Sequence, residues 1–194
     1  SFSSDTISRD ANSVLEESQR MEKIIDDLLF LSRVERLDKS KLSQNVNLEE
    51  VVADVVESRI QTVKKKKLKL KADEVKMLQI QGNRDLLERM VVNIFDNAVR
   101  YTPEGGQVTV TLKKQAERAV LIIADTGIGI PGEDLPKIFN RFYVVDQSRS
   151  KETGGSGLGL SIVKWIADCH DAEIDVSSRP GSGTVFTVSF PLSS

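Results

Sequence analysis

Apolar residues recur at three- and four-residue steps through residues 8–35, at Leu15, Met21, Ile24, Ile25, Leu28, Leu29, Leu31 and Val34. No Gly or Pro interrupts this run, so the spacing predicts one long helix with those residues along one side. A stripe this apolar needs a partner helix, either from the same chain or from a second copy. The polar and charged segment 37–47 that follows reads as a linker.

A second helical pattern covers residues 48–66, with Val51, Val52, Val55, Val56 and Ile60 on one face. Asn47 followed by Glu50 resembles a capping box that lacks its usual Ser or Thr. Residues 68–71 and 77–81 alternate like short strands. Helical spacing returns over 85–101 through Leu86, Leu87, Met90, Val91, Ile94, Phe95 and Ala98, then stops at Thr102-Pro103-Glu104-Gly105-Gly106. Strand-like runs at 107–113 and 119–124, joined by a short polar loop, predict an antiparallel pair. The pattern breaks between 127 and 157, where a short helix is expected around 134–139 and a polar stretch over 146–156. A helix over 158–169 and a hairpin-like pair at 173–177 and 184–190 complete the chain. Helices mixed with antiparallel strands make this an α+β fold.

Composition changes the picture only by exclusion. At 194 residues, 39% hydrophobic and 29% charged, the chain can bury a core, and general disorder is excluded. Its 27 basic and 29 acidic residues leave a formal charge of -2, which offers no whole-chain attraction to nucleic acid or anionic lipid. Cys169 is the single cysteine, so no internal disulfide forms and a reducing, cytoplasmic compartment is expected. No stretch approaches the roughly 20 apolar residues that span a bilayer. The opening Ser1-Phe2-Ser3-Ser4-Asp5 lacks a signal-peptide profile and an initiator Met, which reads as a fragment or a processed chain and leaves a membrane anchor upstream open.

Three clusters carry candidate chemistry. In Asn93-Ile94-Phe95-Asp96-Asn97-Ala98-Val99-Arg100-Tyr101 the two Asn amides, four residues apart, project from one helix face. Each offers an oxygen for Mg2+ and an NH2 for a phosphate oxygen, with the Arg100 cation on nearly the same side. They could equally be exposed polar residues, or cap the turn at Thr102. The second cluster, Asp125-Thr126-Gly127-Ile128-Gly129-Ile130, follows an apolar strand. Asp125 can accept from an adenine amino group, and the glycines permit close backbone approach, although a simple glycine turn would read the same. Residues 127–132 spell the G-x-G-x-x-G dinucleotide fingerprint, but Pro131 and Pro136 preclude the long helix it requires. The third cluster, Gly154-Gly155-Ser156-Gly157-Leu158-Gly159-Leu160, runs into an apolar helix and would aim backbone N–H groups at a phosphate. It is not a Walker A loop, because no Gly-Lys-Ser/Thr follows. Arg149 and Lys151 lie upstream in a loop suited either to a nucleotide lid or to plain surface.

The order and spacing of these clusters resemble the N, G1, F and G2 boxes of histidine kinases in the GHKL ATPase superfamily, with Phe139-Asn140-Arg141-Phe142-Tyr143 as the F box. The resemblance covers about residues 47–192. Residues 18–33 are similar to the second helix of that family's dimerisation domain, which divides the chain into a partial dimerisation helix and linker, 1–42, and an ATP-binding domain, 43–194. It implies a Bergerat-type sandwich, a mixed and largely antiparallel sheet packed on helices. It implies ATP and Mg2+ as ligands, with Asn93 as the metal ligand and Asn97 near the phosphates and metal. Arg100 stands where the family has a phosphate-contacting cation, and Tyr101 lies beside the nucleotide. Asp125 would recognise adenine with Gly127, Gly129 and Thr184, and Gly155, Gly157 and Gly159 would serve the lid hinge and phosphates. Ile130 and Leu158 join the same ATP-binding set, while Phe139 and Phe142 would pack the lid base.

As partners, the resemblance implies a response-regulator receiver domain, the protein's own dimerisation domain and a second protomer. The activity implied is transfer of the ATP γ-phosphoryl group to a histidine. The acceptor helix is not in this chain: the one histidine, His170, follows the third cluster, where a structural role is expected. Asp171-Ala172 replaces the family's usual Gly-Gly there, and Ser156 replaces a frequent Thr. The run Lys64-Lys65-Lys66-Lys67 reads as a solvated helix end rather than a nucleic-acid contact, since no aromatics interleave. A conformational ATPase of the gyrase, MutL or Hsp90 kind, and a nucleotide-sensing interaction module, are the alternatives.

Overall fold

A computed structural model describes residues 4–34, 42, 44–146 and 155–193. Helix α1 spans Ser4–Val34. Strand β1 (Gln44–Asn47) pairs antiparallel with β3 (Gln79–Gly82), so the end of the expected linker is a strand, because Val46 is buried opposite Ile80. The other elements are α2 (Leu48–Lys65), β2 (Lys69–Val75), α3 (Arg84–Tyr101), β4 (Gln107–Gln115), β5 (Arg118–Asp125), α4 (Gly159–Cys169), β6 (Glu173–Arg179) and β7 (Gly183–Pro191). The helix expected around 134–139 is only a 3-10 turn, Leu135–Lys137, with Pro136 at its start.

The main sheet has the order β2-β4-β5-β7-β6. Only the β2–β4 pair is parallel; β4–β5, β5–β7 and β6–β7 are antiparallel. Period-two alternation puts Val108, Val110 and Leu112 of β4 in the core. They meet Met90, Ile94 and Phe95 of α3 and Ile162, Val163 and Ile166 of α4 in one apolar cluster. The result is the expected α+β sandwich.

α3 positions much of the site, and both of its ends are secured. Asn83 caps the start, its Oδ1 accepting from the Leu86 N–H at 3.1 Å. The Asn83 N–H itself donates to His170 Nε2 at 3.1 Å, while His170 Nδ1–H donates to the Ile166 carbonyl at 2.7 Å. His170 is therefore a buried neutral imidazole joining the end of α4 to the start of α3, and burial lowers its pKa. Only a glycine fits at position 82, where a Cβ would lie 2.7 Å from the His170 ring. At the far end, Lys66 Nζ donates to the carbonyls of Val99 (2.8 Å) and Arg100 (2.6 Å). This corrects the expectation of a solvated lysine run: Lys66 satisfies helix-terminal carbonyls that would otherwise lack donors. Burial, then the nearby Arg100 charge, lowers its pKa.

The apolar residues of α1 do not share one side. Leu31 is buried and Ile24 half-buried against the domain, whereas Leu15, Met21, Ile25, Leu28 and Leu29 are exposed. The helix thus carries one apolar face packed on the domain and one apolar face exposed.

Candidate functional site

A cavity of about 410 Å³ opens between α3, the ends of β5 and β7, the start of α4 and the loop after β5. Asn93, Asn97, Arg100, Tyr101, Asp125, Gly129, Ile130, Gly155, Gly157, Gly159 and Thr184 all line it. Gly127 and Leu158 do not. Gly127 is buried behind Asp125 with its N–H bonded to that carboxylate, and Leu158 belongs to the core. Of the expected lid, Arg149, Lys151 and Gly154 lie outside the described residues.

At the sheet end, Asp125 is the last residue of β5 and pairs with Thr184 of β7. Its Oδ1 accepts from the N–H groups of Gly127 (2.7 Å) and Thr184 (3.3 Å). These bonds aim the carboxylate and leave Oδ2 to accept from a ligand donor. Burial raises the Asp125 pKa above the usual 3.8, and the two backbone bonds pull the other way. The loop beyond is held from three sides. Thr126 Oγ1 accepts from Gln107 N–H (2.9 Å), the Ile128 N–H donates to the Tyr101 carbonyl (3.2 Å), and the Gly181 N–H donates to the Ile128 carbonyl (2.8 Å). The G-x-G-x-x-G look-alike is thus a pinned loop with no helix behind it.

At the helical end, Asn93 Nδ2 donates to the Arg89 carbonyl at 2.9 Å. That bond fixes the amide, since a carbonyl can only meet the NH2, and turns Oδ1 toward Gly159 and the cavity. A Cβ at position 159 would lie 2.9 Å from that oxygen, so the glycine keeps it open. A hard, uncharged oxygen beside a phosphate-sized space fits Mg2+, which takes few protein ligands and keeps waters or phosphates for the rest. Gly157, at φ +70, lets the chain enter α4, and its carbonyl accepts from the Phe142 N–H at 2.9 Å. Phe142 is itself 60% exposed at φ 62, so it meets this hinge through backbone, and only Phe139 packs on the core.

α1 closes the wall. Asp27, 3% exposed, forms an ion pair with Arg89 Nη2 at 2.6 Å and accepts from Ser156 Oγ at 3.3 Å. Arg89 also lies 3.9 Å over the Phe30 ring, which meets Trp165 of α4 edge-on. One buried carboxylate therefore ties α1 to α3 and to the glycine hinge.

Several contributors escaped sequence reasoning. Ser178 Oγ accepts from the Ile130 N–H at 2.8 Å and meets Thr184 Oγ1 at 2.9 Å. Gly183, at φ +98, packs against the Asp125 backbone so closely that no Cβ fits. The glycine-rich turn signalled Gly183; nothing local signalled Ser178, whose partners lie on the loop after β5 and on β7. Among the described residues no group of three or more His, Cys, Asp or Glu could hold a metal. No helix among them is long and apolar enough to cross a membrane.

Comparison with known proteins agrees with this architecture. Residues 82–194 match the family described as histidine kinase-, DNA gyrase B- and HSP90-like ATPase. The sensor-like histidine kinase SenX3 of Mycobacterium tuberculosis is 33% identical over 188 residues, 97% of this chain and 46% of that protein. The chain thus spans about half the length of the curated relatives it matches. Full-length ShkA, solved with AMPPNP, superposes with a TM-score of 0.77 at 25% identity, covering 96% of this chain and 39% of ShkA. The histidine kinase ThkA, solved in complex with the response regulator protein TrrA, shares the fold at 24% identity and a TM-score of 0.79, over 98% of this chain and 53% of that one. The chain belongs to the histidine kinase-, DNA gyrase B- and HSP90-like ATPase family and carries the ATP-binding domain of the sensor histidine kinases.

Proposed function

We propose that this chain holds Mg2+·ATP and presents its γ-phosphoryl group to a histidine carried by a separate helix. Asp125 Oδ2 accepts from the adenine amino group, and Asn97, Arg100 and the α4 N-terminus hold the phosphates. Asn93 Oδ1 is the protein ligand for Mg2+, which when bound would offset phosphate charge. Histidine attack forms an N–P bond as the bond from the γ-phosphorus to the leaving ADP oxygen breaks. The domain's own work is positioning and charge compensation. The product phosphohistidine would pass its phosphoryl group to a response-regulator aspartate, in a dimeric cytoplasmic assembly.

The observation that carries this reading is the convergence of Asn93 Oδ1, Asp125 and the α4 glycines on one cavity. The exposed stripe Leu15, Met21, Ile25, Leu28 and Leu29 supports pairing of α1 with further helices. Mixing the chain with a separate segment bearing an acceptor histidine and radiolabelled Mg2+·ATP should give an acid-labile, base-stable label on that segment. Competent nucleotide binding with no labelled histidine would refute the transfer.

A further inference from the structure

Asp27 and Phe30 dock α1 beside the site, and one further residue of that helix lines the cavity itself. Lys23 of α1 lines the same cavity as Asn93, Asn97 and Gly159. It also lines the adjoining groove between α1 and α3.

The helix geometry explains why. Asp27 of α1 pairs with Arg89 of α3. Lys23 lies one turn before Asp27 and Asn93 one turn after Arg89, so both cavity-lining residues share a level if the helices run oppositely. The buried Asp27 contacts and the Phe30–Arg89–Trp165 stack set the rotation of α1, which turns Lys23 inward.

The level matters because the cavity has a direction. Tyr101, at the C-terminus of α3, bonds the loop that follows Asp125. Asn93 lies eight residues earlier, about 12 Å along the helix. If adenine sits at Asp125, the end near Asn93 receives the terminal phosphate, and Lys23 stands beside it. Neighbouring cations are committed elsewhere: Arg89 to Asp27, and Arg59 to Asp96 at 3.4 Å. Lys23 has no ion pair among the described residues. The groove behind it holds Glu22 and Asp26, and Asp96 lines both the groove and the cavity. An ammonium between that acidic groove and a triphosphate is a mobile point charge able to follow the γ-phosphate.

We propose that Lys23 is a γ-phosphate-binding residue, so that the dimerisation helix itself completes the nucleotide site and discriminates ATP from ADP. This rests on the nucleotide-site reading above and adds to it a residue from the other side of the domain boundary.

The test is calorimetric titration of the whole 194-residue chain with Mg2+·AMPPNP and with Mg2+·ADP, for wild type, Lys23→Ala and Lys23→Arg. Lys23→Ala should weaken AMPPNP about tenfold, the scale of one charge-assisted contact, and leave ADP within about twofold. Lys23→Arg should recover most of the AMPPNP affinity. Equal weakening of both nucleotides, or no change in either, would overturn the proposal while leaving the nucleotide site standing. Wild-type chain that binds neither nucleotide would overturn both readings together.

Discussion

At the Asp125 end of the cavity the wall is one end of the main sheet. Asp125, Thr184 and Ser178 are registered across β5, β7 and β6, and backbone N–H groups aim the carboxylate. At the Asn93 end the wall is assembled from three helices, α1, α3 and α4, joined by side chains: Asp27, Arg89, Phe30, Trp165 and Ser156. A sheet register cannot slip by a fraction of a residue, whereas α1 is held by side chains alone, through the Asp27 contacts, the Phe30 stack and the packing of Leu31 and Ile24, and can be released. Under the proposed nucleotide orientation, the difference teaches that base recognition would be built into the sheet, while phosphate handling would depend on the docking of α1.

The most damaging single change should be Asn93→Ala at the helical end. It should lower Mg2+-dependent AMPPNP affinity by about 100-fold or more, with the circular dichroism spectrum retained. Persistence of Mg2+-dependent binding would contradict the assignment of Oδ1.

Asp125→Asn should follow, weakening every adenine nucleotide by about 30-fold whether or not a γ-phosphate is present. Its pH behaviour sharpens the contrast. Because burial raises the folded pKa of Asp125 above 3.8, the native state takes up its proton at a higher pH than the unfolded chain. Stability from this group is present at low pH and is lost as pH rises through the raised value. Ligand binding moves oppositely, since the adenine amino group needs the ionised acceptor: wild-type affinity should fall as acid protonates Asp125, and Asp125→Asn should not share that fall. Asp125→Asn should cost little folding stability.

Asp27→Ala tests the movable end. It strands Arg89 and frees Ser156, and should cost about 2 kcal/mol in urea denaturation. It should weaken AMPPNP more than ADP, because α1 withdraws from the phosphate end only. A uniform loss across nucleotides would show that the two ends are not separable.

His170 should give the smallest effect, on stability alone. Its folded pKa lies below the ordinary 6.5, so the unfolded chain binds the proton first on acidification. The contribution is complete above the unfolded value and is lost as pH falls from there toward the folded pKa. The unfolding free energy from urea denaturation should therefore drop between pH 7.5 and 5.5, by about 1 kcal/mol or less, and His170→Gln should flatten the slope.

The parts of the site that were legible in advance are those written locally. Asn93 and Asn97 reveal a shared face because one helical turn separates them, and Asp125 announces itself by ending an apolar strand before two glycines. The α+β class and nearly every element followed from the same periodicity, apart from the 3-10 turn at Pro136 and the strand at residues 44–47. What stayed hidden lies across the chain from its partner. Lys66 looked like one of four solvated lysines until α3 brought two carbonyls to it. Phe142, expected to pack the lid base, is turned outward by a left-handed backbone.

The chain's own residue order thus determined the helices, the strands, the glycine positions and the chemical kinds of group on offer, because those depend on neighbours within a turn or a pleat. Only the folded arrangement decided that α1 would divide its apolar stripe between two faces, that Asp27 would be buried, and that Lys23 would line the cavity built by α3, α4 and the main sheet. Those outcomes rest on packing and charge pairing between segments tens of residues apart, which no local spacing encodes.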